Sequence, residues 1–188
     1  MAWLSCDDEL PYRPARIVVT GTSGSGKSTL ARHLGAVLEL RYVELDALHH
    51  GTNWTPRPEF LEEVKRFVAG ERWVTEWQYP AVRELLAERA DLLILLDLPR
   101  WIVMTRVVRR TLGRRLRRTE LWSGNVEPPL HTILIHRDHI IRWAWRTHND
   151  HLPRATVCVE RHPTLPVVRL STLGQIKDWL AGPLMRAE

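Results

Sequence analysis

The chain has 188 residues, 44% of them hydrophobic and 26% charged, with 27 Lys and Arg against 22 Asp and Glu for a formal net charge of +5. That length suits one domain with a sizeable core, and the composition excludes a disordered chain; the two cysteines, Cys6 and Cys158, exclude a disulfide framework and predict reduced thiols in a cytoplasmic setting. The longest apolar run, Leu92 to Leu96, falls far short of the roughly 20 residues a bilayer-crossing helix needs, so no membrane partner is expected.

Residues 1–15, with Asp7, Asp8 and Glu9 and no apolar segment, read as a short tail rather than a secretory leader, and 16–188 read as a single domain. Arg16 to Thr20 is a short β-branched run that enters a Gly-rich turn, and Lys27 to Leu38 then carries helical spacing through Leu30, Leu34, Val37 and Leu38. Arg41 to Leu45 is extended, Asp46 to Pro58 reads as a loop interrupted by Gly51, Asn53, Pro56 and Pro58, and Glu59 to Ala69 is an amphipathic helix.

Arg72 to Glu76 is a third strand, Ala81 to Arg89 a helix, and Leu92 to Leu96 a strand apolar enough to be covered on both faces. Arg100 to Arg118 is helical. A further helix carrying Leu130, Ile133, Leu134, Ile141 and Trp145 is expected to reach about Thr147, with an irregular stretch from there to Pro166. Val167 to Leu170 and the helix Leu173 to Leu180 close the series. Strands alternating with helices in this way predict an α/β protein with three α/β/α layers and a parallel sheet of about five strands.

The most informative segment is Gly21-Thr22-Ser23-Gly24-Ser25-Gly26-Lys27-Ser28, which matches G-x-x-x-x-G-K-[ST] and stands between a strand and a helix. Glycines there let main-chain N–H groups turn inward around phosphate oxygens. The helix start adds positive potential, Lys27 reaches the β- and γ-phosphates, and the Ser28 hydroxyl suits Mg²⁺. Gly21 to Thr29 are therefore candidate nucleotide-binding residues, with ATP and Mg²⁺ as cofactors and a P-loop NTPase fold around them.

An acidic residue after the second strand and an Arg-rich helix late in the chain make this sequence similar to the adenylate kinase, shikimate kinase and gluconate kinase group. It most resembles the FlaR-related proteins, described as DNA topology modulation proteins. The marks are GTSGSGKSTLARHL at 21–34, ELDALHH with NWTPRPEF between 44 and 60, DLLILLDLPR at 91–100, RRTLGRR with ELWSGN between 109 and 125, and IIRWAWRTH at 140–148. This resemblance implies a kinase-type fold and makes about 100–125 the lid, with Gly113 as a bending point. Where such kinases carry Asp-Gly at the end of the third strand, this chain has Glu76-Trp77.

Asp46, just past the second strand, suits orientation or deprotonation of an acceptor hydroxyl, with an N-cap or Asx turn as the plainer reading. Glu76 has the same edge location and suits Mg²⁺ held through water; Asp97 reads as a cap for the helix after Pro99. Between Arg100 and Arg118 stand eight arginines and no acid. Met104, Val108, Leu112 and Leu116 form the line expected to pack, and Arg106, Arg110, Arg114 and Arg118 the line expected to meet anions, with Arg110 and Arg114 as catalytic candidates and Arg109 and Arg115 next.

His49, His50, Trp54, Trp77, Tyr79 and Arg83 fall where an acceptor is expected, and aromatic walls suit a nucleoside base or another planar molecule. His136, His139, His148 and His151 lack ligand-spaced partners and read as polar helix positions rather than a zinc site. The expected activity is ATP-dependent phosphotransfer to a small-molecule hydroxyl or phosphate. The alternatives are a nucleotide-regulated nucleic-acid-binding ATPase using the basic helix, and a sensor without chemistry in which Trp77 blocks the acceptor pocket.

Overall fold

A computed structural model describes residues 3–129, 132 and 139–187 of the chain. Its strands are β1 (Trp3–Leu4), β2 (Arg16–Gly21), β3 (Arg41–Val43), β4 (Trp73–Glu76), β5 (Leu92–Leu96) and β6 (Val167–Leu170). They form one sheet in the order β1-β6-β5-β2-β4-β3, and every neighbouring pair is parallel. From β2 the chain crosses to the edge at β3, returns to β4 beside β2, and continues on the other side with β5. The order thus reverses around β2, and the crevice beyond its C-terminal end is where such sheets hold ligands.

Strand alternation sorts the core onto two faces. Ile17, Val19, Leu92 and Ile94 join Leu30 and Leu34 of α1 (Lys27–Val37) on one side. Val18, Leu93 and Leu95 join α3 (Phe60–Val68) and α4 (Pro80–Arg89) on the other, through Phe60, Val64, Val82 and Leu86. Buried leucines of this kind typically cost about 2–5 kcal/mol when cut back to Ala. The predicted α/β layering is therefore observed, with six strands among the described residues rather than about five.

The extra strand comes from the segment expected to be a tail. Trp3 and Leu4 pair with Val167 and Val168, and Cys6 and Leu10 are buried in the α1-side core. The acidic residues suggested solvent, but they mark only the turn: the Ser5 amide donates to Asp8 Oδ2 at 2.6 Å.

Three further expectations change. The loop after β3 contains a short helix, α2 (Leu45–His49), because Leu45 is fully buried and pulls its turn onto the core. In α5 (Arg100–Leu116) the buried line is Val103, Val107 and Thr111, one residue away from the expected stripe, and Leu112 and Leu116 are exposed. The stretch after α6 (Ile140–Arg146) is helical as well, α7 running His151–Arg161. Its Pro153 lies in the first turn, where no intrahelical N–H is required, and Ala155 and Cys158 supply the buried stripe. Leu130, Ile133, Leu134 and His136 lie outside the described residues. The chain closes with α8 (Leu173–Ala181), started by a capping box between Thr172 and Gln175, and α9 (Pro183–Arg186). Among the described residues no helix is long and apolar enough to cross a membrane.

Candidate active site

The loop after β2 takes a form that only glycine accommodates at two places. Gly21 has φ 147°, and a Cβ there would stand 2.7 Å from the Leu96 carbonyl oxygen; Gly24 has φ 88°, and a Cβ would stand 2.3 Å from Val107 Cγ2. The second contact shows that α5 lies directly on the loop. Ser25 N donates to the Thr22 carbonyl at 2.9 Å to close the turn, and the first helical bond of α1 runs from Leu30 N to Gly26 O, also at 2.9 Å. The amides of Lys27, Ser28 and Thr29 thus precede the first intrahelical bond and face the loop end.

Lys27 Nζ donates to the Thr22 carbonyl at 3.2 Å. Burial pushes its pKa from 10.5 down to about 8 and the Arg110 guanidinium adds to the fall, while Asp46 and Glu76 pull the other way. An ammonium held half-desolvated beside two carboxylates and one arginine is poised for a polyanion. Two buried polar atoms here have no hydrogen-bond partner among the described residues, Ser25 Oγ and Arg110 Nε, so the residues present fit a nucleotide polyphosphate.

Helix α5 supplies arginines from its inward side. Arg106 Nη1 donates to the Ser25 carbonyl at 3.2 Å and Arg110 Nη2 to Ser23 Oγ at 3.2 Å. Arg110 has its pKa lowered by burial and by Arg114, with Glu127 and Asp46 opposing. Arg114 does not reach the loop: Nη1 pairs with Glu127 Oε1 at 3.1 Å, and Arg115 Nη1 donates to the Glu127 carbonyl at 3.4 Å. Glu127 is buried, so Arg114 holds the segment after α5 in place. The expected catalytic pair is thereby divided, Arg110 on the phosphate loop and Arg114 on an internal carboxylate.

On the other side of the crevice, α2 presents Asp46, whose Oδ1 accepts from Gln78 Nε2 at 2.7 Å and from the Tyr79 hydroxyl. This corrects the cap reading, since Glu44 holds the cap position of α2. Burial is the main cause raising the Tyr79 phenol far above its ordinary pKa, with the Asp46 carboxylate reinforcing it. The phenol therefore serves Asp46 as a donor. Tyr79 sits at φ 60°, a conformation rare for a bulky side chain, and is held there by Asp46, by His50 Nε2 at 3.1 Å and by stacking on His49 at 4.1 Å. Glu76 is 1% exposed, accepting from the Tyr42 hydroxyl at 2.9 Å and from Leu45 N at 3.4 Å. Asp97 caps nothing; it accepts from Arg169 Nε of β6 at 2.9 Å, and Pro99 precedes α5 without a side-chain cap.

Trp77 departs from its expected role. Its ring is 7% exposed in the α4-side core and its Nε1 donates to the Arg83 carbonyl at 2.9 Å. Its amide still pairs with Val19, so the alternation of β4 turns the ring away from the crevice and it does not block an acceptor pocket. The aromatic wall is instead completed by Trp122, which the sequence reading did not single out. Trp122 stacks on His50 at 5.8 Å and meets Trp54 edge-on at 6.2 Å. Asn125 clasps the facing loop by accepting from Trp54 N at 3.1 Å and donating to the Gly51 carbonyl at 2.8 Å.

A second unpredicted contribution comes from the start of α7. His151 Nδ1 lies 3.4 Å from Thr20 Oγ1, and the His148 carbonyl accepts from Thr22 Oγ1 at 3.3 Å. Burial, with Lys27 and Arg154 next, pushes His151 down to about 3, so it is neutral at physiological pH. The sequence had both histidines as polar helix positions, and the fold instead brings them to the loop. His139 caps α6 by accepting from Ile141 N at 3.3 Å, and no group of three metal-ligating side chains occurs among the described residues.

Comparison with solved structures places this architecture among the P-loop kinase folds. A gluconokinase from Sinorhizobium meliloti aligns over 94% of this chain and 95% of its own, at 21% identity and TM-score 0.53. A shikimate kinase from Acinetobacter baumannii, solved with shikimate, aligns over 92% and 91% at 19% identity and TM-score 0.48. A sugar kinase from Janibacter sp. aligns over 93% and 99%, again at 19% identity and TM-score 0.48. No family model and no curated protein matches the chain in sequence. The fold is thus like that of the gluconokinase, and the candidate site is a Gly-rich loop facing a carboxylate across an aromatic-walled crevice.

Proposed function

We propose that the protein is a small-molecule kinase, moving the γ-phosphoryl group of ATP to a hydroxyl or phosphate of a nucleoside, nucleotide or other small metabolite. The observation that carries this reading is the convergence on one crevice of the loop with Lys27, the Arg110 guanidinium and Asp46. The loop amides and Lys27 hold the polyphosphate, and Arg110 lies where charge on the transferred group is balanced. Asp46 Oδ2 carries no hydrogen bond among the described residues and receives the acceptor hydroxyl, while Tyr79 and Gln78 hold Oδ1 and fix its orientation. Mg²⁺ would supply charge neutralisation to the phosphates, and Ser28 and Glu76 are the residues that would hold it. His49, His50, Trp54 and Trp122 wall the acceptor side.

The nucleic-acid reading has less support, because Arg106, Arg110 and Arg114 point to the phosphate loop and Glu127 rather than forming an outward stripe. The finer FlaR-related reading rests on the ordered sequence marks. ATP consumption measured across a panel of sugars, sugar acids, nucleosides and nucleotides tests the proposal. One acceptor should raise turnover well above the water background, and hydrolysis stimulated by DNA or RNA with no response to any small acceptor would refute it.

A further inference from the structure

Asp46 and His50 stand one helical turn apart on α2, the His50 amide donating to the Asp46 carbonyl at 3.0 Å. Tyr79 reaches both from the turn before α4. Its hydroxyl donates to Asp46 Oδ1 and lies 3.1 Å from His50 Nε2. A phenol has one proton, and with that proton given to Asp46 it has only lone pairs to offer the imidazole. The hydrogen bond between Tyr79 and His50 therefore needs a proton on Nε2. The other ring nitrogen agrees, since His50 Nδ1 is buried without a hydrogen-bond partner among the described residues. Buried N–H groups without partners are rarer than buried lone pairs without them, so neutral His50 keeps its proton on Nε2 and leaves Nδ1 bare.

The His50 ring is held in place by its neighbours. Trp122 stacks on it at 5.8 Å, and Trp54 and His49 meet it edge-on at 5.2 and 4.8 Å. Ser123 Oγ donates to the His50 carbonyl at 2.8 Å, so the segment that carries Trp122 fixes the backbone of His50 as well as its ring. The direction of the chain decides what Asp46 receives. With Nε2 bare, the Tyr79 hydroxyl would face two acceptors and divide its proton between them, leaving Asp46 Oδ1 with Gln78 alone. With Nε2 protonated, His50 donates to Tyr79 and Tyr79 to Asp46, and bonds in series reinforce one another in a partly dry site. Oδ1 is then committed to two donors, which fixes the plane of the carboxylate and leaves Oδ2 as its free oxygen.

We propose that His50, as its Nε2–H tautomer, is a positioning residue for Asp46: it commits the Tyr79 proton to Oδ1 and so sets the orientation of the oxygen that meets the acceptor hydroxyl. It acts through Tyr79, in addition to lining the crevice. The role of Asp46 rests on the kinase reading; the hydrogen-bond chain itself is testable without turnover.

The experiment has a spectroscopic and a kinetic arm, both on the full chain. Imidazole nitrogen NMR at mildly alkaline pH, with His50 assigned by the resonance missing from His50→Phe or, should that variant not fold, from His50→Gln, should show the Nε2–H tautomer in wild type. Tyr79→Phe, which removes the phenol and keeps the ring, should shift His50 towards a mixture of tautomers. An Nδ1–H tautomer in wild type, or no response to Tyr79→Phe, overturns the proposal. In the kinetic arm, run with the acceptor found by the panel, His50→Phe keeps a ring to stack on Trp122 and removes the donor. It should lower kcat about tenfold with little change in acceptor KM, and His50→Gln, which keeps a donor, should recover about half of that loss on a logarithmic scale. The double variant Tyr79→Phe/His50→Phe should be no slower than Tyr79→Phe alone, because both break the same chain. Additive losses, or an effect confined to KM, overturn the positioning role. An Nε2–H tautomer in a protein that neither binds Mg-AMP-PNP nor turns over any acceptor would sink the kinase reading, and the positioning of a base with it, while the hydrogen-bond chain stands.

Discussion

Lys27 gives the sharpest test of the site as a ligand-seeking, self-destabilised structure. Replacing it with Met keeps the length of the side chain and removes the ammonium. The fall of its pKa from 10.5 to about 8 corresponds to about 3 kcal/mol of folded-state penalty at about 1.4 kcal/mol per pH unit. Losing the hydrogen bond to Thr22 returns about 1 kcal/mol. Ligand-free Lys27→Met should therefore be more stable than wild type by about 2 kcal/mol at pH 7, or about 5 °C in Tm for a chain of this size. The sign follows from linkage: between pH 8 and 10.5 the unfolded chain binds the lysine proton and the folded chain does not, so wild-type stability rises through that window. Melts at pH 7 and pH 10 should show the gap between variant and wild type closing as pH rises. With Mg-ATP the order should invert, because only wild type gains binding free energy. A variant that melts at or below wild type at pH 7 without ligand would refute the account of Lys27 as a cation whose desolvation outweighs its neighbouring carboxylates.

Two further outcomes separate roles that proximity alone would merge. Arg110→Ala should lower kcat by about 10²- to 10³-fold with little change in Tm, whereas Arg114→Ala should lower Tm more, since an unpaired buried carboxylate costs about 3–5 kcal/mol; steady-state rates and melts on the two variants check this, and the reverse ordering would reassign them. His151 ties the site to acid stability. With its pKa near 3 against an ordinary 6.5, the unfolded chain takes up a proton below pH 6.5 that the folded chain refuses, so wild type should lose about 2 kcal/mol by pH 5. His151→Gln should lack that loss, and parallel acid limbs in denaturant titrations from pH 7 to pH 4 would contradict the assignment.

The Gly-rich loop was legible because its signature is local: eight consecutive residues carry the glycines, the lysine and the hydroxyl, and the flanking periodicities place them between a strand and a helix. Strands β5 and β6 were equally plain, since runs such as Leu92 to Leu96 are apolar enough to be covered on both faces whatever packs on them. Asp46 could be placed at the crevice because it follows a strand at the sheet edge.

Everything that depends on which way a side chain turns was decided in three dimensions. Trp77 and Tyr79 stand two residues apart in the sequence, yet sheet pairing through the Trp77 amide commits one ring to the core, while the left-handed turn at Tyr79 sends the other to Asp46. Arg110 and Arg114 share one helical face, and only the position of Glu127 separates a phosphate-loop arginine from an internal ion pair. Trp122, His148 and His151 come from segments more than 90 residues beyond the loop, so no spacing rule links them to it; their roles exist only because β5, β6 and the helices between them return the chain to the same edge. Sequence thus determined the position and turn of the Gly-rich loop and the class of fold, where contacts are local or repeat with a period. Tertiary structure decided the aromatic side of the crevice, where each contact joins residues that only the assembled sheet brings together.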